Sequence, residues 1–180
     1  MADGQVPEDH ETCTACGFDG AAFDSAGLLD ALCGLGASWT ALLDGTDDLL
    51  RDRPEPLTWS AIEYAAHSRD ITELHRWAVD EALTGTEPVL PDVDGDALIG
   101  SAAADYGTAD PASVVAGLAT AAAGMADAAH TAGEPAWSLG LTIGTSRSSV
   151  RRLLEHALHD STHHLDDVTR GLATLRARGA

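Results

Sequence analysis

The stretch LLEHALHDSTHHLDDV, residues 153–168, combines an apolar stripe with a cluster of histidines. The apolar side chains recur at helical spacing: Leu154, Leu158, Leu165, Val168 and, beyond the stretch, Leu172. This periodicity predicts an amphipathic helix with Ser149 as its N-cap, running to about Arg176. One face of this helix should pack into a core, and the histidines must be explained separately.

Three further amphipathic stretches precede this helix. The first, DSAGLLDALCGLGASWTALLDG (residues 24–45), ends before the breaker RDRPEP. The second begins at Ser60, which forms a capping box with Glu63. Its predicted stripe consists of Tyr64, His67, Ile71, Leu74 and Ala78. The third begins at Asp110 and Pro111. No strand pattern is convincing.

Four long helices predict an all-α fold, an antiparallel four-helix bundle over residues 23–180. Residues 1–22 are polar and are predicted to form a short N-terminal arm that carries a CxxC motif. The chain has 180 residues, which fits one domain. A connection of about twenty residues between the second and third helices is long enough to suggest a functional loop.

Charge and composition limit the partners. The formal net charge is −19, and all ten basic residues are arginine, so nucleic acid and anionic membranes should be repelled. No long uninterrupted apolar run and no signal-like N-terminus are found, so we expect a cytoplasmic protein that acts on a small molecule. A homodimer is also compatible with the sequence.

His159 and His163 are spaced i, i+4, which places both imidazoles on one helix face, where they can share a metal ion. A metal needs a further ligand, and His67 on the second helix is the best candidate. The alternatives are an exposed histidine pair and an ordinary core histidine. The pair points nearly opposite the apolar stripe, so either a groove opens there or another segment covers it.

These motifs resemble the DinB-like superfamily, in particular its mycothiol-dependent maleylpyruvate isomerase and thiol-transferase type. The resemblance rests on LTWSAIEYAAHSRD (residues 57–70) and LHDSTHHLDDV (158–168), with CTACGFD and DYGTADP similar to an actinobacterial branch. It implies a four-helix bundle with a divalent metal held by His67, His159 and His163. In some members a Glu replaces the first residue of the HxxxH pair.

Three ligands would leave a coordination position open, as in catalytic sites. Zinc is the first choice, and nickel or ferrous iron are alternatives. We therefore expect a metal-dependent enzyme that acts on a small electrophile by thiol transfer or thiol-assisted isomerisation, with a low-molecular-weight thiol in the open position. Hydrolysis by metal-bound water is the alternative at the same site. A non-catalytic protein that sequesters a small molecule is the alternative of another class.

Several other residues are candidates with ordinary alternatives. Asp166 and Asp167 could orient a ligand histidine through its second ring nitrogen, or they are solvated surface. Tyr106 could reach a bound ligand or merely pack its loop. Arg152 could bind an anionic ligand, although pairing with the many acids is the simpler explanation.

Cys13 and Cys16 form a CxxC motif that is half of a second metal site, a redox pair or an inert feature. A metal there would need another residue or a second subunit to complete it. Cys33 is expected to be a small buried residue. Because residues 13–23 also contain Phe18 and Phe23, we expect this segment to pack on the bundle near the histidines.

Overall fold

The computed structural model describes residues 10–44, 46, 48–91 and 105–179. Four long helices dominate them: α1 (Ser25–Leu43), α2 (Ala61–Leu83), α3 (Pro111–Ala132) and α4 (Val150–Gly179). Helix α1 packs against α3 and α4, and α2 packs against the same two helices. Consecutive helices α1 and α2 therefore lie diagonally opposite each other. The predicted all-α four-helix bundle is confirmed.

The helices begin at the capping residues that the sequence marks. Their N-caps are Asp24, Ser60, Asp110 and Ser149. At α2, the Ser60 backbone N–H donates to Glu63 Oε2 at 2.8 Å, which completes the predicted capping box. At the other end of α3, Gly133 has φ +78°, a conformation that glycine adopts without strain.

The stripes predicted for α1 and α4 form much of the core. Their fully or almost fully buried members are Leu28, Leu32, Leu35, Trp39, Leu154, Leu158, Val168 and Leu172. Trp39 also connects the two helices, since its Nε1–H donates to Ser161 Oγ at 2.8 Å. A buried indole N–H needs such a partner, so this hydrogen bond fixes how α1 lies against α4.

Helix α2 is rotated relative to its predicted stripe. Of the predicted members Tyr64, His67, Ile71, Leu74 and Ala78, only His67 and Ala78 are buried. The face that is buried most completely includes Ile62, Ala65, Ala66, Val79 and Ala82. The small alanine side chains allow α3 and α4 to pack closely against α2. The larger side chains of α2 therefore lie at the edge of these interfaces. His67 consequently faces the α2–α4 boundary.

A small sheet, which the sequence did not predict, lies beside the bundle. Strand β1 (Val89–Leu90) pairs in parallel with β2 (Gly140–Ile143), which pairs antiparallel with β3 (Ser146–Ser149). The hairpin turns at Gly144, whose φ of +57° suits glycine. The connection predicted to be functional falls largely on residues 92–104, outside the described residues.

Helices α1 and α3 are each long and apolar enough to cross a membrane, judged by length and composition alone. Core helices of a bundle pass the same test. Both contribute fully buried side chains to this core, among them Trp39 of α1 and Met125 of α3.

Candidate metal centre

Helix α4 carries two neighbouring rows of side chains that can bind metals. Residues four apart align on a helix, and one residue rotates the direction by about 100°. Asp160 and His164 therefore face α2, while His159 and His163 face the arm. Three groups of possible ligands result. Two are an inner cluster of His67, Asp160 and His164, and an arm cluster of Cys13, Cys16, His159 and His163. In the third, His159 lies with Glu11 and His156. In each, the possible ligand atoms all lie within 4.8 Å of one another.

The inner cluster joins α2 to α4. Asp160 Oδ1 lies 3.7 Å from His67 Nε2 and 3.6 Å from His164 Nε2. These separations are too long for hydrogen bonds, but they are close to the roughly 3.3 Å between neighbouring nitrogen or oxygen ligands of a tetrahedral zinc ion. His67 Nδ1 and Asp160 Oδ2 are buried and have no hydrogen-bond partner among the described residues. The cluster thus has the spacing expected of a metal centre, and a metal would satisfy Asp160 Oδ2, whereas His67 Nδ1 is on the other side of the ring from Nε2.

The ionisable side chains of the inner cluster shift one another's pKa values. Burial raises the pKa of Asp160, but its interactions with His164 and His67 outweigh burial and hold that pKa well below its usual range. Burial lowers the pKa of His164, whereas Asp160 and Asp167 raise it, with a net increase. The carboxylate is therefore ionised at neutral pH, the state in which it binds a cation.

Aromatic side chains surround this cluster. The Trp59 ring centroid lies 5.3 Å from that of His67, and the Tyr64 centroid lies 5.0 Å from that of His164. Tyr106 packs edge-on against Trp59 at 6.1 Å, while its hydroxyl donates to Asp70 Oδ2 at 2.8 Å. In this structure the Tyr106 hydroxyl therefore contacts Asp70, and its ring supports the wall behind His67.

The CxxC motif forms a tight turn. The Cys13 N–H donates to Phe18 O at 2.9 Å, and the Gly17 N–H donates to Cys13 O at 2.9 Å. Gly17 has φ +77°, so the turn depends on glycine at that position. The backbone N–H groups of Cys16 and Ala15 donate to the Cys13 sulfur and lower the pKa of its thiol to about 7.

Each histidine of the arm cluster has a carboxylate near one of its ring nitrogens. The other ring nitrogen lies near a thiol in His163 and is buried without a partner among the described residues in His159. His163 Nδ1 lies 3.8 Å from Cys13 Sγ, and its Nε2 lies 3.7 Å from Asp167 Oδ2. His159 Nδ1 lies 3.0 Å from Glu11 Oε1, and its Nε2 is buried with no hydrogen-bond partner among the described residues. A carboxylate behind a histidine commonly orients that histidine toward a metal.

Glu155 of α4 anchors the arm. This fully buried carboxylate accepts the Glu11 N–H at 2.8 Å and pairs with His10 at 2.7 Å. Arg151 pairs with the same carboxylate and donates to Phe23 O at 2.7 Å. The arm also contacts the histidine face directly, because the Phe18 ring centroid lies 5.1 Å from that of His159. The expected packing of residues 13–23 near the histidines is therefore observed.

The structure divides the predicted metal ligands between the two clusters. His159 and His163 lie together, as predicted, but beside the two cysteines, while His67 lies with Asp160 and His164. The sequence reasoning did not include Asp160 among the ligands and placed His164 only between two faces. Asp160 and His164 are also spaced i, i+4, one residue after His159 and His163 and closer to the apolar stripe. This spacing could have identified them from the sequence.

The remaining predicted site residues have specific places. Asp167 lies between the clusters, with Oδ2 2.9 Å from His164 Nδ1. Asp166 is exposed. Burial is the main cause that raises the pKa of the Cys16 thiol, and the charge of Asp166 adds to this increase. Arg152 pairs with Glu11 at 2.7 Å, the pairing with an acid that was the simpler explanation. Cys33, expected to be buried, is exposed because α1 turns its leucine face inward.

Comparisons with known proteins agree on the architecture. No protein-family model and no curated protein sequence matches the chain. A solved structure that is similar, with a TM-score of 0.75 and 17% identity, is described as "YfiT from Bacillus subtilis is a probable metal-dependent hydrolase with an unusual four-helix bundle topology". The match covers 98% of this chain and 95% of that chain. The chain has a YfiT-like four-helix bundle fold. At this identity the likeness establishes the fold alone, the bundle that resemblance to the DinB-like superfamily also implies.

Proposed function

We propose that this chain is a metal-dependent enzyme that hydrolyses a small electrophilic molecule, with one divalent ion held by His67, Asp160 and His164. The observation that carries this proposal is the inner cluster, whose three possible ligand atoms lie within 4.8 Å of one another and whose Asp160 Oδ2 is buried without a partner among the described residues. The description of YfiT, which has a similar fold, as a "probable metal-dependent hydrolase" supports it.

The donor set supports a catalytic rather than a structural ion. Two imidazoles and one carboxylate are typical of catalytic zinc, with zinc our first choice, and the same set suits ferrous iron, with nickel a further alternative. When bound with an open position, such an ion polarises an electrophile and lowers the pKa of water or a thiol. The ligands come from two helices, so the bundle itself fixes their separation.

The surrounding residues have positioning roles in this proposal. Asp167 Oδ2 lies 2.9 Å from His164 Nδ1. The other ring nitrogen of His164, Nε2, is therefore directed toward Asp160 and the proposed metal. The rings of Trp59 and Tyr64 flank the two histidines and limit the access of water to one side. The net charge of −19 favours a small-molecule substrate over nucleic acid or a membrane surface, and we propose a cytoplasmic location.

Thiol transfer is the second candidate for the same site. Its support is the resemblance of the Trp59, Ser60 and His67 motif to mycothiol-dependent isomerases, in which a low-molecular-weight thiol is the co-substrate. An open metal position can bind a thiol as readily as water, so the two reactions share their ligands. They differ in whether turnover requires added thiol.

The test is a turnover screen of the purified full-length protein, stripped with a chelator and reloaded with Zn²⁺, Ni²⁺ or Fe²⁺. Small esters, amides and epoxides are offered with and without a low-molecular-weight thiol. We expect metal-dependent turnover that is lost in Asp160→Asn and retained in the matched control His130→Ala, an exposed histidine on α3. Turnover without metal, or in Asp160→Asn, would overturn the proposal. Stoichiometric binding without turnover would establish the sequestering alternative, and strict thiol dependence would establish thiol transfer.

A further inference from the structure

We infer that the arm cluster is a second metal site of a different kind, a closed Cys₂His₂ zinc site that attaches the N-terminal arm to α4. Its ligands would be the thiolates of Cys13 and Cys16 and the imidazoles of His159 and His163. The inference does not depend on the proposed reaction, because none of these side chains belongs to the inner cluster.

The thiol half of the site is preorganised by the turn. A tight turn places the two sulfurs of a CxxC motif on one side, where they can share a metal. Here the two sulfurs lie within 4.8 Å of each other, the Gly17 N–H donates to Cys13 O at 2.9 Å, and Gly17 allows the chain to reverse. The antiparallel bridge between Thr12 and Asp19 closes the turn on the outside.

The imidazole half presents suitable nitrogens to the thiols. His163 directs Nδ1 to Cys13 Sγ at 3.8 Å, close to the roughly 3.6 Å that separates sulfur and nitrogen ligands of a tetrahedral zinc ion. His159 contributes Nε2, a buried nitrogen that has no hydrogen-bond partner among the described residues. A buried polar atom of this kind is costly, and a metal would satisfy it.

A carboxylate lies behind each imidazole, and one of them is within hydrogen-bond distance. Glu11 Oε1 lies 3.0 Å from His159 Nδ1, whereas Asp167 Oδ2 lies 3.7 Å from His163 Nε2, too far for a hydrogen bond. His159 therefore has one nitrogen for a carboxylate and the other for the metal, the arrangement found around zinc in proteins. Two thiolates and two imidazoles complete a tetrahedron and leave no open position, so this site is structural.

Cobalt provides a direct test on the full-length protein. Tetrahedral Co²⁺ bound by thiolates has an intense charge-transfer absorption in the near ultraviolet, which carboxylate and imidazole ligands do not give. We expect this band to saturate at about one equivalent of Co²⁺ per chain and to be displaced by Zn²⁺. Cys13→Ser and His163→Ala should each abolish or strongly weaken it. The matched control Cys33→Ser removes an exposed thiol and should leave the band unchanged.

A second variant and a second readout keep the test decisive. Glu11→Gln leaves every ligand in place and should lower zinc affinity by about tenfold to a hundredfold, while the band is retained at saturation. Zinc should protect residues 13–24 from limited proteolysis in the native chain but not in Cys13→Ser.

The inference would be overturned if the wild type gives no thiolate band, or if Cys33→Ser loses it too. It would also be overturned if Cys13 and Cys16 form a disulfide that Zn²⁺ does not prevent. Asp160→Asn should keep the band, so failure of the inner centre and failure of this site are distinguishable.

Discussion

The inner cluster and the arm cluster include adjacent faces of one helix, yet they differ in the number, the type and the origin of their possible ligands. The inner cluster takes its three possible ligands from two bundle helices and includes a carboxylate. The arm cluster takes four, half of them thiols from a turn outside the bundle. Three nitrogen and oxygen ligands on a rigid frame suit catalysis, whereas four ligands with two thiolates suit attachment. In the two proposals above, a step of one residue along α4 separates these two roles.

The largest expected effect separates two adjacent histidines. His164→Ala removes a ligand of the inner cluster, so turnover should fall by about a thousandfold or more, since metal activation contributes several kcal/mol. His163→Ala should keep most turnover and lose the thiolate–cobalt band instead. Steady-state kinetics and metal analysis of both variants check this.

The same pair of variants decides between the two ligand assignments. If His163→Ala abolished turnover while His164→Ala retained it, the set His67, His159 and His163 predicted from the sequence would describe the catalytic ion. Circular dichroism should show that both variants keep the helices, so neither result can come from unfolding.

The next effect concerns the carboxylate between the clusters. Asp167 is closer to His164 (2.9 Å) than to His163 (3.7 Å), so Asp167→Asn should weaken the inner metal more than the arm metal. We expect a loss of about tenfold to a hundredfold in affinity at the inner cluster, measured by competition with a chelator. Asp166→Asn is the matched control, because Asp166 is the exposed neighbour. Equal losses in both variants would mean that general charge, rather than orientation of His164, matters.

A smaller effect tests how the arm is seated. A Cβ at Gly20 would overlap the buried Glu155 carboxylate, so Gly20→Ala should destabilise arm docking by about 1–3 kcal/mol. Gly34→Ala, inside α1 with open space around it, should instead stabilise the protein by up to about 1 kcal/mol. Urea unfolding and proteolysis of the arm measure the two effects. An undisturbed arm in Gly20→Ala would show that Glu155 adjusts and does not fix the arm.

The bundle could be predicted from the sequence because its signals are local. Asp110 and Pro111 mark a helix start by their own chemistry, and the leucines of α1 define a face without any knowledge of a partner. The same reasoning failed for α2, where the buried face is made of alanines that carry little hydrophobic signal. The strands were missed because four residues are too few for alternation to be recognised.

The candidate site depended on information that periodicity does not contain. A helical wheel places His159 and His163 opposite the apolar stripe, but it cannot show that the arm covers them. It also cannot show that α2 lies beside Asp160 and His164. The histidine content of α4 indicated this region from the sequence, while the division of its residues between two clusters required the packing of Glu11, Cys13 and His67 against them.

The smallest expected effect is a pH dependence of arm docking. Burial raises the pKa of Glu155, but the Glu11 N–H, Arg151 and His10 outweigh burial, so its pKa in the folded protein is below the ordinary 4.5. A lowered carboxylate pKa contributes stability that is complete above 4.5 and is lost as the pH falls through the folded-state pKa. The contribution of Glu155 to arm docking should therefore be complete above about pH 4.5 and be lost only in acid below it. Glu155→Gln should weaken docking at neutral pH and reduce this acid dependence, as followed by proteolysis of residues 13–24 with an acid-active protease. A wild-type arm that stays protected as the pH falls, to the same degree as at pH 7, would show that Glu155 contributes little to the arm's attachment.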